Sequence, residues 1–342
     1  MKRIIPLCFA LVMTVGLLAG CGKQNERTAS DETRLRVVTT IFPEYDWVRE
    51  ILGDKADNAE VTMLLDNGAD LHSYQPTADD IVKISECDLF IYVGGESDDW
   101  VDDALKNAAN KNMKVINLLE ALGERVKTEE VVEGMQEEEH DHDHDHEDAD
   151  EHEDAKEHDH EEEAEYDEHI WLSLKNAQTL CSAISSVLQQ IDPDNKDTYA
   201  ANASAYIKKL SALDADYQAA VDAAARKTVL FGDRFPFRYL AEDYGLRYYA
   251  AFAGCSAESE ASFETISFLA GKVDELNLPC VLTIEGVQHK IAETIVRNTA
   301  AKNQKVLTMD SMQSTTSKDA ANGTTYLSIM ERNLSVLKEA LG

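Results

Sequence analysis

The sequence predicts an α/β protein in which two similar lobes with parallel sheets are joined by a long rigid helix. Three patterns predict this fold. Short β-branched runs alternate with amphipathic helices four times from Leu35 onward. An Ala-rich helical stretch follows from Asp194 to about Ala225, and a second alternating series comes after it. Because open parallel sheets bind ligands at the carboxyl ends of their strands, we expect a ligand cleft between the lobes.

The N-terminus is typical of an export signal. Lys2 and Arg3 precede an apolar stretch over residues 4–19, which is short for a membrane span. Leu18-Ala19-Gly20-Cys21 resembles the lipobox of bacterial lipoproteins. We therefore expect residues 1–21 to be a lipoprotein signal peptide with Cys21 acylated, and residues 22–34 to be a polar tether. The folded part would lie outside the cytoplasmic membrane on a lipid anchor, with no spanning helix.

The N-terminal lobe is predicted over residues 35–172. Pro43 can start its first helix and Gly53 can end it. Thr77 can cap a second helix, with Asp80 three residues on, close to a capping box. Four strands are predicted: Leu35 to Ile41, Val61 to Leu65, Leu89 to Val93 and Lys114 to Leu118.

Residues 173–226 are predicted as a helical connector, because Tyr199, Tyr206, Leu210, Leu213 and Tyr217 recur at helical spacing. About thirty helical residues span roughly 45 Å, enough for a strut between lobes. The C-terminal lobe is predicted over residues 227–342. Its strands are predicted at Val229 to Phe231, Leu246 to Ala250, Val281 to Ile284 and Val306 to Met309. Its helices are predicted at Phe237 to Asp243, Phe263 to Leu276, Val287 to Thr299 and from about Tyr326.

A run of Glu, Asp and His over residues 137–168 is predicted as a long loop of the N-terminal lobe. It holds 20 acidic residues and one lysine, which is −19 of the chain's net charge of −33. Such acidity argues against binding to nucleic acid or anionic lipid, and is typical of a solvated, disordered segment. The alternation of imidazole with carboxylate also favours auxiliary capture of divalent metal by the run's seven histidines: His140, His142, His144, His146, His152, His158 and His160.

Outside that run, histidine occurs only at His72, His169 and His289. His72 follows a predicted strand and precedes a helix cap, and His169 lies where the acidic loop meets a helix. Both positions should face the mouth of the N-terminal lobe, so both are candidate metal ligands. Two unrelated surface histidines are the alternative.

The six cysteines contain no C-x-x-C pair, which argues against a zinc ribbon or a redox motif. Cys8 would leave with the signal peptide and Cys21 would be acylated. A Cys255–Cys280 disulfide is one alternative for an exported protein, and buried small hydrophobes are the other. The remaining cysteines are Cys87, Cys181, Cys255 and Cys280.

Several motifs carry a family resemblance: Thr39-Thr40-Ile41-Phe42-Pro43, His72-Ser73-Tyr74-Gln75-Pro76-Thr77, His169-Ile170-Trp171-Leu172-Ser173, Lys175-Asn176-Ala177, Phe237-Arg238-Tyr239-Leu240-Ala241-Glu242-Asp243-Tyr244-Gly245 and Asp310-Ser311. Over essentially the whole mature chain they resemble the metal-binding receptors, or solute-binding lipoproteins, of bacterial zinc and manganese ABC importers (cluster A-I). In that family two α/β lobes close modestly on one metal ion, and an acidic histidine-rich loop is typical of zinc importers. The resemblance implies a monomer that carries Zn(II) to a permease and its ATPase.

The resemblance also implies metal ligands. His72 and His169 match the family's first and second ligands, and Asp310 matches the carboxylate ligand of the second lobe. The third ligand, a His or Glu in the family, falls on Arg234, and guanidinium cannot bind a cation. Alternatives at this position are Asp233, Glu285, Glu258 and Glu260, whereas Asp233 and Glu285 could instead hold Arg234 in salt bridges. A loop ligand such as His160 could also complete the site.

Other function classes are weighed against this reading. Two imidazoles and a carboxylate also hold catalytic zinc, but His-Glu-x-x-His, Gly-x-Ser-x-Gly and a phosphate-binding glycine loop are absent from the sequence. We therefore expect no enzyme. The remaining alternatives are a receptor for manganese, copper or nickel, and a surface metal buffer or adhesin. A histidine site also predicts that metal affinity falls as the pH drops through about 6.

Overall fold

Two four-stranded parallel sheets organise the protein. The computed structural model describes residues 34–136, 165–256, 260–286 and 289–342. The first sheet has the order β2-β1-β3-β4 and the second has the order β6-β5-β7-β8. Their strands are β1 Leu35–Thr39, β2 Ala59–Met63, β3 Leu89–Tyr92, β4 Lys114–Asn117, β5 Thr228–Arg234, β6 Arg247–Phe252, β7 Cys280–Thr283 and β8 Lys305–Thr308.

Helices cover these sheets and connect them. In the described residues they are α1 Phe42–Leu52, α2 Ala78–Glu86, α3 Val101–Lys106, α4 Leu118–Leu122, α5 Leu174–Ile191, α6 Lys196–Ala223, α7 Arg238–Tyr244, α8 Phe263–Glu275, α9 Lys290–Asn298, α10 Ser317–Ala321 and α11 Tyr326–Leu341. The predicted fold class, two parallel α/β lobes joined by a long helix, is confirmed.

The helix starts follow the predicted chemistry. Pro43 lies in the first turn of α1, where its missing N–H costs nothing, and Gly53 ends the helix at φ +54°. At α2 the Thr77 hydroxyl accepts the Asp80 N–H at 3.2 Å, and the Asp80 carboxylate accepts the Thr77 N–H at 3.0 Å. This reciprocal pair is the capping box that the sequence indicated.

The long helix α6 has 28 residues and joins the two sheets through buried tyrosines. It packs against α5 and α1, and Tyr217 donates a hydrogen bond to the Met330 carbonyl in α11 at 2.7 Å. One hydrophobic core includes Val38 and Phe90 from the first sheet, Tyr206 from α6 and Leu282 from the second. Residues Leu35–Gly342 form one compact unit, so the lobe boundaries near 172 and 226 stay a prediction.

Strand β5 is longer than predicted, and this difference matters for the site. It runs to Arg234, and its register against β6 shifts between Phe231 and Arg234. The polar residues after Gly232 hid this extension, because strand signals rest on apolar and β-branched runs. Asp233 and Arg234 are therefore the last residues of strand β5, at the carboxyl end of the second sheet.

The predicted helix from Val287 begins at Lys290 instead, and residues 287–288 lie outside the described ranges.

The membrane prediction is addressed only within the described ranges. There, none of the helices combines the length and apolar character that a bilayer crossing requires. Cys21, the proposed acylation site, and residues 22–33 of the tether lie outside those ranges, as do Glu258 and the seven histidines of the acidic run.

Candidate metal centre

His72 and His169 meet at the carboxyl edge of the first sheet although 97 residues separate them. Their Nε2 atoms lie 3.2 Å apart. His72 lies in a one-turn 3-10 helix, Leu71–Ser73, whose start is capped by the Asp70 carboxylate. His169 precedes the 3-10 turn Ile170–Leu172. The structure thus brings together the two histidines that the sequence singled out.

The ring of His169 is fully buried and is oriented by its neighbour Asp167. One carboxylate oxygen of Asp167, Oδ1, accepts both the backbone N–H of His169 at 2.9 Å and the ring Nδ1 at 3.0 Å. A carboxylate oxygen accepts, so we assign the ring proton of His169 to Nδ1. The lone pair of Nε2 then points into the site.

Glu168 and Ser97 orient the ring of His72. Its Nδ1 lies 2.9 Å from the Ser97 hydroxyl and 3.3 Å from Glu168 Oε2. Burial raises the pKa of Glu168, but the hydrogen bonds from His72 and Ser97 outweigh burial, so the pKa lies below its usual range. Glu168 is therefore an anion 3.3 Å from Nδ1, so we assign the ring proton of His72 to Nδ1, donated to the Ser97 hydroxyl, which leaves the Nε2 lone pair free.

Gly95 makes room for that carboxylate. Its φ is +82°, and a Cβ built there would lie 2.3 Å from Glu168 Oε1, closer than real contacts allow. Gly95 therefore has a role in packing against Glu168, while its neighbour Gly94 packs against the side chain of Asn117. Only glycine combines this backbone conformation with so close an approach.

Two imidazole lone pairs that face each other repel unless a cation lies between them. In a tetrahedral zinc site with Zn–N bonds of 2.0–2.1 Å, two nitrogen ligands are about 3.3 Å apart. The observed separation of 3.2 Å fits two ligands of one zinc ion. The Nδ1 of His169 is hydrogen-bonded to the Asp167 carboxylate, and the Nδ1 of His72 is hydrogen-bonded to the Ser97 hydroxyl with the Glu168 carboxylate 3.3 Å away, as is usual behind metal-bound histidine.

Cys255 brings a third donor to the pair, and the sequence analysis did not include it among the ligands. Its Sγ and one ring nitrogen from each histidine all lie within 4.8 Å of one another. Cys255 follows β6 and so reaches the site from the second sheet. Both Cys255 and Cys280 are free thiols, so the disulfide alternative is wrong for this structure. Burial and the charge of Glu129 raise the pKa of the Cys255 thiol.

A lone cysteine has no sequence spacing that signals a ligand, which explains the omission. The available signal was its position, three residues after Phe252 ends β6, at the carboxyl edge where the histidines also lie. Among the residues that the structure describes, no other set of three His, Cys, Asp or Glu side chains is grouped this closely.

Asp310 and Glu285 do not belong to this trio. One oxygen of Asp310 accepts the Met312 N–H at 2.9 Å, and the other lies 3.7 Å from an Arg332 nitrogen. Glu285 accepts hydrogen bonds from Ser311 N–H at 2.6 Å and Ser311 Oγ at 2.8 Å, and from the Gln313 N–H at 3.0 Å. Burial raises the pKa of both carboxyls.

The loop that carries Asp310 nevertheless lies against the His169 turn. The indole of Trp171 donates to the Ser311 carbonyl at 2.9 Å, and the side-chain amide of Gln313 lies 3.5 Å from His169 Nε2. The role of Asp310 as a ligand therefore stays a prediction.

Arg234 pairs with Asp70, not with the acids that the sequence analysis suggested. A guanidinium nitrogen of Arg234 lies 2.5 Å from Asp70 Oδ2, and Asp70 Oδ1 lies 4.0 Å from His72 Nε2. Asp233 accepts the backbone N–H of Arg234 at 2.9 Å instead. Burial raises the pKa of Asp70, but the charge and the hydrogen bond of the Arg234 guanidinium lower that pKa by more, so the carboxyl is ionised beside the histidines.

A cavity of about 810 Å³ opens beside the histidine pair. Its lining includes the acidic ligand candidates Asp233, Glu260 and Glu285, but not Asp310. Asp70, His72 and Arg234 also line it. The cavity therefore lies next to His72, between the strand ends of the two sheets.

Comparison with known proteins places the chain among zinc-uptake components. A family model described as the periplasmic zinc-uptake complex component A, ZnuA, matches residues 37–340. The high-affinity zinc uptake system protein ZnuA of Bacillus subtilis is 31% identical over 340 residues, covering 99% of this chain and 96% of its own length.

Two further matches concern a longer relative. The zinc-binding lipoprotein AdcA of Streptococcus pneumoniae is 31% identical over 339 residues, which is 99% of this chain but only 61% of the relative. The solved structure of the Zn(II)-bound ZnuA-like domain of Streptococcus pneumoniae AdcA superimposes with a TM-score of 0.66. It is 28% identical and covers 90% of this chain and 99% of that domain.

Proposed function

The chain belongs to the zinc-uptake complex component A family, and on that basis we propose that it is an extracytoplasmic receptor for Zn(II). It captures the ion as a transported ligand and delivers it to an ABC importer, a permease with its ATPase. The zinc-binding names of its relatives, the ZnuA of Bacillus subtilis and the AdcA of Streptococcus pneumoniae, support this assignment.

The facing Nε2 atoms of His72 and His169 carry the proposal. Each ring is backed by a buried carboxylate at Nδ1, so both rings are preset to donate a lone pair to one cation. Nitrogen donors favour zinc, whereas manganese prefers oxygen. This preference supports zinc over the manganese alternative, and it leaves copper and nickel to be distinguished by measurement.

Further ligands come from the acids near the pair. Asp310 is our candidate for a carboxylate ligand, because its loop lies against the His169 turn through Trp171 and Ser311. Its oxygens would have to leave Met312 and Arg332 to bind the ion. Asp233, Glu285 and Glu260 line the neighbouring cavity and remain candidates for transient contacts during entry.

We further propose that the histidines of residues 137–168 collect zinc and pass it to the pair, and that Cys21 anchors the receptor to the membrane by acylation. The membership of a transport family disfavours the zinc-dependent hydrolase. Turnover of an ester or peptide by the zinc-loaded protein would restore that alternative.

Zinc titration calorimetry tests the receptor directly. The soluble protein, residues 22–342, is compared with a variant in which residues 137–164 are replaced by a short Gly-Ser linker. Residue Glu165 is kept because its carbonyl accepts the Glu129 N–H at 2.7 Å. A His72→Ala, His169→Ala double variant is the third sample.

The receptor predicts one tight site that survives replacement of the run and is lost in the double variant. If tight binding instead disappears with the run and persists in the double variant, the chain is a surface metal buffer. The unchanged far-ultraviolet circular dichroism of each variant serves as the folding control.

A further inference from the structure

Arg234 occupies the position at which the sequence analysis expected the third metal ligand. The guanidinium of Arg234 has no lone pair for a cation, and it is committed to the Asp70 carboxylate at 2.5 Å. A second guanidinium nitrogen donates to the Ser256 carbonyl at 3.4 Å. The arginine that occupies the expected ligand position therefore also contacts the segment that carries Cys255.

The backbone around Cys255 is held against the histidine pair. A Cβ built on Gly254 would lie 3.1 Å from both Cε1 and Nδ1 of His169, so the chain passes directly over that ring. The Cys255 N–H donates to a Glu129 carboxylate oxygen at 2.7 Å. These contacts fix the peptide next to the pair, and the free thiol lies within 4.8 Å of a nitrogen from each ring.

We propose that Cys255 is the third metal ligand, so that the receptor holds its cation with two imidazoles and one thiolate. On binding, the thiol gives up its proton to solvent and the sulfur forms a bond to the metal, with no change of oxidation state. This inference rests on the proposed receptor function and names the donor set of the same site.

A sulfur ligand changes which cations the receptor accepts. Thiolate is a soft donor that selects zinc, cadmium and copper(I), and it disfavours manganese and other oxygen-preferring ions. The two imidazoles with one sulfur also leave a fourth position open, as tetrahedral zinc with three protein ligands does. Glu285 is held by hydrogen bonds from Ser311 and Gln313, and Asp310, our candidate carboxylate ligand, would fill the fourth position only after leaving the Met312 N–H and Arg332.

Cobalt(II) titration of the full chain tests the proposal. Cobalt reports its surroundings by colour: ligand-field bands show tetrahedral coordination, and a near-ultraviolet charge-transfer band appears only with a thiolate ligand. Residues 137–168 contain no cysteine, so their histidines cannot contribute to that band. We expect one equivalent of cobalt to produce both signals.

Two variants localise the sulfur. In Cys255→Ser the charge-transfer band should disappear and zinc affinity should fall about tenfold or more. In Cys280→Ala, which alters a buried thiol of β7, both should stay as in the unchanged chain. The proposal is overturned if the unchanged chain lacks the band or if Cys255→Ser retains the band or binds zinc equally well.

X-ray absorption on the unchanged chain tests the sulfur ligand without depending on whether a variant folds. Zinc X-ray absorption at one equivalent should show one sulfur neighbour at about 2.3 Å; a shell of nitrogen and oxygen alone overturns the proposal. The same titration distinguishes a failure of the proposed receptor function from a failure of the Cys255 proposal. If the receptor function is wrong, the tetrahedral cobalt bands survive in the His72→Ala, His169→Ala double variant. If those bands need both histidines but no thiolate band appears, only the role of Cys255 is wrong.

Discussion

The guanidinium of Arg234 lies 2.5 Å from the carboxylate of Asp70, and this ion pair ties strand β5 to the turn that carries His72. The two residues are 164 positions apart: Asp70 caps the turn Leu71–Ser73, which follows the first sheet, and Arg234 ends strand β5 of the second sheet. A structural contact thus occupies the position where the resemblance leads one to expect a metal ligand.

Replacing Arg234 by Gln should destabilise the protein by about 1–2 kcal/mol. Removing one partner of a fully buried ion pair lowers the free energy of unfolding by more than this. Here the Arg234 and Asp70 side chains are 19% and 25% exposed, so solvent screens part of the loss. Urea unfolding measures the change. Lys106→Gln, which breaks an exposed pair with Asp103, is the control and should leave the midpoint unchanged. An equal effect of both substitutions would contradict a special role for the Arg234 pair.

Zinc affinity should fall steeply as the medium is acidified. A protonated imidazole has no lone pair to donate, so each histidine that must lose a proton lowers the affinity up to about tenfold per pH unit below its titration range. With two such ligands the limit is about a hundredfold. Chelator competition at pH 7.5 and pH 5 measures this dependence, and equal affinity at both pH values would argue against a histidine site.

Neutralising either orienting carboxylate should weaken zinc binding about 10–100-fold. In Asp167→Asn or Glu168→Gln the amide can present N–H groups to the imidazole, which favours the tautomer with its proton on Nε2. The folded protein should otherwise persist. Glu264→Gln, in the first turn of α8, is the matched control with the same change of charge. Unchanged zinc affinity in Asp167→Asn and Glu168→Gln would show that these carboxylates do not position the rings.

Substitution of Gly95 by Ala should lower both stability and zinc affinity. The added Cβ would meet the Glu168 carboxylate at 2.3 Å, and the backbone φ of +82° strains any L-residue. We expect a loss of about 1–3 kcal/mol in the free energy of unfolding.

Gly123→Ala separates the two causes of that loss. Gly123 also has a positive φ, +56°, but its added Cβ would meet nothing within 4 Å. It should therefore lose stability through strain alone and bind zinc normally. A normal zinc affinity in Gly95→Ala would mean that the displaced carboxylate does not matter to the site.

Asp46→Asn should stabilise the protein at pH 8. Burial in α1 raises the pKa of Asp46 to about 7. Because the folded pKa exceeds the unfolded one, the folded state binds more protons between about pH 4 and 7, and stability falls as the pH rises through that window. The neutral Asn does not have to bury a charge at high pH. It also keeps an oxygen that can accept the Tyr326 N–H, which Asp46 accepts at 3.0 Å.

The expected gain from Asp46→Asn is on the order of 2 kcal/mol at pH 8 and less than half of that at pH 5. Urea unfolding at both pH values measures it. Asp54→Asn, on the exposed turn after α1, controls for the change of net charge. A gain that does not depend on pH would contradict a titrating Asp46.

Local patterns in the sequence predicted the fold and singled out the two histidines that meet at the candidate site. Helix α6 was predictable because Tyr206, Leu210 and Tyr217 recur on one face, and parallel sheets follow from strand–helix alternation. His72 was placed by the end of a predicted strand, and His169 by the junction of the acidic loop with a predicted helix. Each of these signals lies within a short stretch of chain.

The rest of the site depends on how distant segments pack. The extension of β5 and its shifted register place Arg234 opposite Asp70, and no local pattern encodes that pairing. The proposed ligand role of Cys255 likewise depends on tertiary packing, because the neighbouring Gly254 passes over the His169 ring. The sequence therefore indicated the location of the candidate site better than the side chains that lie around the two histidines.

The hydrophobic core shared by both sheets affects how the protein unfolds and how proteases degrade it. Val38 and Leu282 belong to one continuous cluster, so neither half can open without exposing apolar surface of the other. Unfolding should therefore be cooperative, in a single transition. Because zinc would bind the folded form alone, a captured ion would protect the whole chain from proteases outside the cell, and receptors without cargo would be degraded first.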